Sequence, residues 1–320
     1  MKKFSIIIPV YYNEENLPST IPALLSLRDD IPEYSLELVF VDDGSGDKSL
    51  QILLEHQNKY PNHIKVVKLS RNFGAIAAIQ AGLEQAKGDC VGVIAADLQD
   101  PPELFIDMVK HWEKGNKVIL GVRKHREDGL FTKLFSYTFY FLLRHFAIAD
   151  YPKKGFDFML VDRQVVQAIN RAAGKNTNVM TFVFWLGYSP VLIPYTRVER
   201  DKGVSKWTFN KRVKFFIDTF VSFSYFPVRV ISLTGLLVAI IAFGYGLFVL
   251  FGWHKYGIEV RGWTSSILVT LFLSGFQMVM LGVIGEYLWR VLDEVRGRPI
   301  YVIDEIYSNN PENGDDDEQN

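Results

Sequence analysis

Two apolar runs in the last third of the chain constrain everything before them. From Val228 to Gly252 the sequence reads VRVISLTGLLVAIIAFGYGLFVLFG, and no charge follows Arg229 until Lys255. From Thr264 to Trp289 it reads TSSILVTLFLSGFQMVMLGVIGEYLW, with Glu286 its one charge, near the end. Each run exceeds the roughly 20 residues that cross a bilayer core. A buried helix of a soluble domain reads the same way in isolation. Two runs joined by a short polar loop favour a pair of membrane spans. The amino terminus, MKKFSIIIPV, is too short and too soon broken by Pro9 for a signal peptide. Basic residues between Arg197 and Lys214 outnumber Glu199 and Asp201, and Arg290, Arg296 and Arg298 follow the second run. Positive flanks stay inside. Both large ends are therefore expected in the cytoplasm, with the protein integral to the membrane.

Composition narrows the function classes. The chain has 320 residues, room for about two domains. Lys and Arg number 35 against 36 Asp and Glu, a formal net charge of -1. That balance excludes a general polyanion binder and argues against nucleic acid as a partner. The single cysteine, Cys90, excludes an internal disulfide and a cysteine-based zinc cluster. Two further stretches, Leu130–Ile148 and Thr208–Phe226, mix Phe and Leu with Lys and Arg. Such helices lie in the plane of a membrane interface. The alternative is a pair of core helices in the soluble domain. The final residues, SNNPENGDDDEQN, are polar and acidic, the composition of a disordered tail.

The first 125 residues alternate between two periodicities. Strands are expected at Phe4–Val10, Leu36–Val41, Ile64–Leu69, Cys90–Ala95 and Lys117–Gly121. Helices are expected at Asn16–Leu27, Lys48–Tyr60, Gly74–Ala86 and Pro102–Lys114. This alternation implies a parallel sheet covered on both faces, with ligands beyond the carboxyl ends of the strands. Polar residues fall at those ends: Tyr12-Asn13-Glu14-Glu15, Asp42-Asp43, Ser70-Arg71-Asn72 and Asp97-Leu98-Gln99-Asp100. No G-x-G-x-x-G follows the first strand and no G-x-x-x-x-G-K-[ST] occurs, which excludes the dinucleotide oxidoreductase and P-loop readings. Acids with an amide suit a hard divalent cation, Mg²⁺ or Mn²⁺, beside a phosphate. Any one of these acids is also an ordinary cap or turn residue, Asp43 and Asp47 especially.

The segments PVYYNEENLP (9–18), VDDGSGD (41–47), LSRNFG (69–74) and ADLQDPPE (96–103), with RVERDKGVSKW (197–207), resemble an inverting GT-A-fold family 2 glycosyltransferase. The likeness is to the membrane branch that charges polyprenyl phosphates, dolichyl-phosphate mannose synthases and bactoprenol glucosyltransferases among them. It covers residues 4 to about 300. It implies an α/β, mostly parallel, Rossmann-like GT-A domain in the cytosol, with interfacial amphipathic helices and two C-terminal transmembrane helices in a bacterial inner membrane. The implied boundaries are 1–129 for the nucleotide-sugar-binding and catalytic core and 130–227 for the acceptor side. The two spans take 228–292, and 293–320 forms a cytosolic segment with an acidic tail.

The resemblance also implies roles. Pro9, Tyr11, Glu14, Asp42, Asp43 and Arg71 would bind the nucleotide-sugar donor, with Asp42 on the base. Asp97 and Gln99 would hold Mg²⁺ or Mn²⁺. The family's first acidic position is Ala95 here, a lost carboxylate that implies weaker metal affinity. Arg200, Lys206, Arg123 and Arg126 would hold the acceptor phosphate, and the same basic run attracts anionic headgroups. Asp157 would be the catalytic carboxylate, as base or by binding the sugar. UDP-glucose is the donor implied; GDP-mannose or another donor on the same fold, or a non-catalytic membrane scaffold, are the alternatives. A processive polysaccharide synthase would carry Q-x-x-R-W, which is absent. Small residues at Ser274-Gly275 and Gly282-x-x-Gly285 suit either a homo-oligomer or packing of the two spans within one chain.

Overall fold

The computed structural model describes residues 1–124, 141, 144–145, 148, 151–152, 156, 158–172, 179–197, 226–256 and 262–309. The chain divides into two compact units, Met1–Phe216 with Pro299–Asn320, and Ile217–Arg298. Both amphipathic stretches fall almost wholly outside the described residues, as does the chain beyond Asn309.

The first unit is built on β1 (Lys2–Val10), β2 (Tyr34–Asp42), β3 (Ile64–Leu69), β4 (Cys90–Val93) and β5 (Val118–Arg123). Between them run α1 (Leu17–Asp30), α2 (Ser49–Lys59), α3 (Ala75–Gln85) and α4 (Leu104–Glu113). Then come β6 (Phe158–Asp162), α5 (Arg163–Ala172), α6 (Val179–Trp185), β7 (Val191–Tyr195) and, after the second unit, β8 (Ile303–Tyr307). The strands form one sheet in the order β7-β5-β6-β4-β1-β2-β3-β8. Strands β3, β2, β1 and β4 run parallel, as do β5 and β7. Strands β6 and β8 enter antiparallel, so the sheet is mixed where alternation alone implied a parallel one. Both lie outside the alternating first 125 residues, and β8 had no strong apolar pattern to announce it.

Strand alternation sorts the core into two layers. Phe4, Ile6, Ile8 and Val10 of β1, with Leu36, Leu38 and Phe40 of β2, join one cluster with Leu17, Ile21 and Leu24 of α1 and Phe105 and Met108 of α4. Ile7, between them in sequence, faces the other layer, where a Cβ on Gly82 of α3 would lie 2.3 Å from its side chain. Phe4, Phe40, Phe105 and Phe158 are fully buried. Burial of each contributes on the order of 2 kcal/mol.

The order β2-β1-β4 makes a topological switch between β1 and β4. Their pairing ends at Ile7 with Val93, three residues before β1 itself ends. Pro9 occupies the strand just beyond that point, where its missing N–H leaves no ladder bond unmade. A crevice at the carboxyl ends follows from this divergence, the ordinary ligand position in such sheets.

The second unit comprises α7 (Phe226–Tyr256) and α8 (Trp263–Val295). Both are long and apolar enough to cross a membrane. Leu233, Ile240, Phe243 and Phe272 are among the large apolar side chains they leave exposed. Such side chains are stable in lipid and costly in water. The two helices meet where Gly235 faces Met280, whose methyl lies 3.1 Å from an added Cβ. Among the described residues, nothing lies within 4 Å of a Cβ at Gly275, Gly282 or Gly285.

Candidate active site

The loops after β1 and β2 are cross-braced. The Lys48 amide donates to Glu14 Oε2 at 2.9 Å, and the Glu14 amide to Asp47 Oδ2 at 3.3 Å. The Tyr12 amide donates to Ser45 Oγ and the Asn13 amide to Ser49 Oγ. Asp47 Oδ1 accepts the Ser49 amide at 3.0 Å, opening α2. Tyr12 sits at φ 56°, a left-handed conformation that costs a non-glycine residue roughly 1–2 kcal/mol. The bracing holds that strain and leaves Tyr11 and Tyr12, packed edge to face at 4.7 Å, partly exposed beside the crevice. Glu14 thus works as a loop brace through its side chain, a use its place in the sequence motif did not reveal.

The two acids that close β2 have different work. Asp43 is buried, and its oxygens accept the Phe73 amide at 2.7 Å and the Gly74 amide at 2.9 Å. It caps the entry to α3 and fixes the loop carrying Arg71. Gly44, at φ 70°, packs so close to that loop that a Cβ would lie 2.7 Å from the Arg71 carbonyl carbon. Arg71 lies over the Phe73 ring at 4.1 Å, with Nη1 donating to the Asn72 carbonyl.

Asp42 is equally buried but less well satisfied. The Ser45 amide donates to Oδ2 at 3.3 Å. Oδ1 is buried with no hydrogen-bond partner among the described residues. Burial pushes its carboxyl above the usual range, against the opposing bonds from Ser45. Burial also raises Asp43, opposed by its two amide donors. An orphaned buried carboxylate oxygen costs on the order of 1–3 kcal/mol. Such a position is suited to accept an N–H from a ligand entering the crevice.

The turn after β4 carries the remaining acids. Leu98 stands at φ 50°, between Asp97 and Gln99. The Gln99 amide lies 3.4 Å from Asp97 Oδ1. Asp97 and Gln99 are half-buried, and Ala95 precedes them just past the strand. No group of three His, Cys, Asp or Glu side chains that would hold a metal occurs among the described residues. One carboxylate and one amide carbonyl are a partial oxygen donor set. It fits Mg²⁺ or Mn²⁺ completed by a diphosphate and water. Strands β4 and β2, which carry the two acidic ends, lie two strand spacings apart, about 10 Å. That suits a base at one end and a diphosphate at the other.

Asp100 anchors this turn, a role that sequence reasoning left unassigned. It is buried, accepts the Tyr195 hydroxyl, and pairs with Arg197 Nε at 3.4 Å. The end of β7 is thereby tied to the β4–α4 turn. On the other side the Thr20 hydroxyl of α1 donates to the Ala96 carbonyl at 2.8 Å. Arg123 ends β5 opposite Tyr195 and is half-buried. Pro9, Tyr11, Asp42, Arg71, Asp97, Gln99 and Arg123 therefore all lie at or beyond carboxyl ends of strands. Arg126, Asp157, Arg200 and Lys206 lie outside the described residues.

Residues 5–170 match the family described as Glycosyl transferase family 2. The chain is 38% identical over 306 residues to the glycosyltransferase YkcC of Bacillus subtilis (strain 168), covering 95% of this chain and 94% of that protein. It is 35% identical over 312 residues to the SfII prophage-derived bactoprenol glucosyl transferase of Shigella flexneri, covering 97% of this chain and all of that protein. Among solved structures it is similar to the mannosyltransferase PcManGT of Pyrobaculum calidifontis in complex with GDP-Man and Mn²⁺. There the TM-score is 0.50 at 16% identity, over 69% of this chain and 64% of that one, a likeness of fold alone. The chain belongs to glycosyltransferase family 2, and its catalytic unit has the GT-A fold.

Proposed function

We propose that the chain transfers glucose from UDP-glucose to a polyprenyl phosphate at the cytosolic membrane face, with inversion at the anomeric carbon. The observation that carries this reading is the 35% identity to a bactoprenol glucosyl transferase over 97% of this chain and the whole of that relative. The site chemistry and the two apolar helices are consistent with it.

Asp42 Oδ1 accepts the imide N–H of the base, a donor that this oxygen lacks among the described residues. Asp43 holds the Arg71 loop, and Arg71 reaches toward the base or phosphates. Asp97 and Gln99 would hold a divalent cation, which would supply positive charge to offset that on the departing diphosphate. The acceptor is a phosphate monoester with a second pKa near 6, so it is mostly dianionic at neutral pH. It needs positioning more than deprotonation. Arg123 at the end of β5, with Arg126, Arg200 and Lys206, supplies that positioning. Asp157 orients the sugar or the attacking oxygen. The bond from the anomeric carbon to UDP breaks as a new bond forms to a phosphate oxygen on the opposite face. That leaves UDP and a β-linked lipid sugar.

The test is transfer of label from UDP-glucose to undecaprenyl phosphate by the purified full chain, with Mn²⁺ or Mg²⁺ and with EDTA. Label should enter the organic phase only with metal. Transfer from GDP-mannose instead would correct the donor. Nucleotide binding without transfer from any donor would overturn the reaction.

A further inference from the structure

Strand β8 reaches further than the edge it covers. Its ladder pairs Val66 with Tyr307, Val67 with Ile306 and Lys68 with Glu305, then slips to pair Leu69 with Ile303. Asp304 is thus the extra residue of a bulge, a device that re-aims a side chain. Its carboxylate lies 2.5 Å from Lys68 Nζ. Covering the open edge of β3 would need no pairing beyond Leu69, where that strand ends. The pairing continues. The Ser70 amide donates to the Val302 carbonyl at 3.0 Å, and Ser70 opens the loop that carries Arg71. One residue earlier, the Tyr301 hydroxyl donates to Glu84 of α3. The lead-in to β8 therefore binds both elements that flank the Arg71 loop, β3 before it and α3 after it.

We propose that Tyr301 and Asp304 are positioning residues for the donor site, and that the strand they anchor acts through Arg71. The Arg71 loop is gripped at both ends and backed in the middle. Val302 holds the Ser70 amide at its start, and Asp43 holds the Phe73 and Gly74 amides at its end. Between them Gly44 packs against the Arg71 backbone. Only Arg71 and Asn72 lie between the held amides of Ser70 and Phe73. A segment so short, pinned at both ends, presents its side chain in few directions. Holding it before a ligand arrives removes part of the ordering cost of binding. Release of the Ser70 end would leave Arg71 held from the β2 side alone. This role rests on Arg71 as a donor-binding group, as proposed above.

The test is a mutant cycle in the full chain. Tyr301→Phe with Asp304→Ala is made in the parent and in Arg71→Ala, and UDP with Mn²⁺ is titrated into all four proteins. In the parent background the pair should weaken UDP binding about fivefold, the scale of coupling within one network. In the Arg71→Ala background the same pair should change it by less than about twofold. Asp304→Glu, which keeps the carboxylate, should bind like the parent. A strand that merely stabilised the sheet would weaken both backgrounds equally. Hydrogen exchange without nucleotide reads the loop itself. The peptide spanning Ser70–Gly74 should exchange faster in the paired variant, while β1 and β2 keep the parent's rates. Should the paired variant fail to fold, Tyr301→Phe alone is carried through the same cycle. Parent-like UDP affinity, equal weakening with and without Arg71, or parent-like exchange at Ser70–Gly74 overturns the proposal. If the parent itself binds no UDP, the donor reading fails instead, and exchange at Ser70–Gly74 alone decides the role of the strand.

Discussion

Strand β2 carries a buried carboxylate toward each end, and the two are opposites. Glu37, 6% exposed, is surrounded by donors. Burial alone would raise its carboxyl, but the Ser5, Lys87 and Lys3 bonds outweigh that and hold it below the usual range. Asp42, 1% exposed, is opposed chiefly by Ser45, through its amide and hydroxyl, with no partner for Oδ1 among the described residues, and burial lifts it. A fully satisfied buried carboxylate holds structure together. One left short of partners stores a cost that a ligand can remove. The carboxyl edge of the sheet is thus kept incomplete, while Glu37 at the amino edge is closed around its charge.

The comparison can be broken by substitution. Asp97→Ala should have the largest effect, lowering transfer by roughly 10²–10³, or about 3–4 kcal/mol of transition-state stabilisation. Its thermal midpoint should stay near that of the parent. Next is Glu37→Gln, which leaves Lys3 and Lys65 short of a charge. Breaking a buried pair costs about 3 kcal/mol. Thermal unfolding should show that loss, while turnover per folded molecule is unchanged.

Asp42→Asn should do the reverse. UDP affinity should fall about tenfold, about 1.4 kcal/mol, while stability at neutral pH rises. The sign follows from linkage. The Asp42 carboxyl is raised in the fold, so the fold loses stability as pH rises through that folded value, and the amide removes this loss. Glu37 is lowered, so its contribution is complete above the unfolded value and is lost as pH falls through the folded one. Stability against pH for the two variants should therefore diverge from the parent in opposite directions. The smallest effect is expected for Ala95→Asp, which restores a carboxylate before Asp97. The Mn²⁺ concentration for half-maximal transfer should drop several-fold, about 1 kcal/mol.

Much of the carboxyl edge was legible in sequence. Short β-branched runs ending in polar residues placed β1 to β5 and put Asp42, Arg71 and Asp97 at strand ends. Ile64–Leu69 was placed to the residue. Side-chain partnership was not legible. Asp42 and Asp43 are neighbours with the same chemistry, and only the approach of the Phe73 and Gly74 amides separates a cap from a carboxylate left short of donors. Glu37 read as one polar residue in LELVFV, because its hydrogen-bond partners come from two distant segments. Asp100 and Tyr195 are 95 residues apart. Strand β8, five residues with two acids, is held by the edge of β3 rather than by an apolar pattern of its own. Its Asp304 pairs with Lys68 and the Val302 carbonyl accepts the Ser70 amide. Non-local pairing of this kind leaves no period to read.

The most direct test of the division between the two edges is calorimetric titration of UDP with Mn²⁺ into the full chain, Asp42→Asn and Glu37→Gln. All three would be held at a temperature where each is folded. The account predicts about tenfold weaker binding for Asp42→Asn and parent-like binding for Glu37→Gln. Equal weakening in both, or parent-like binding by Asp42→Asn, would contradict it.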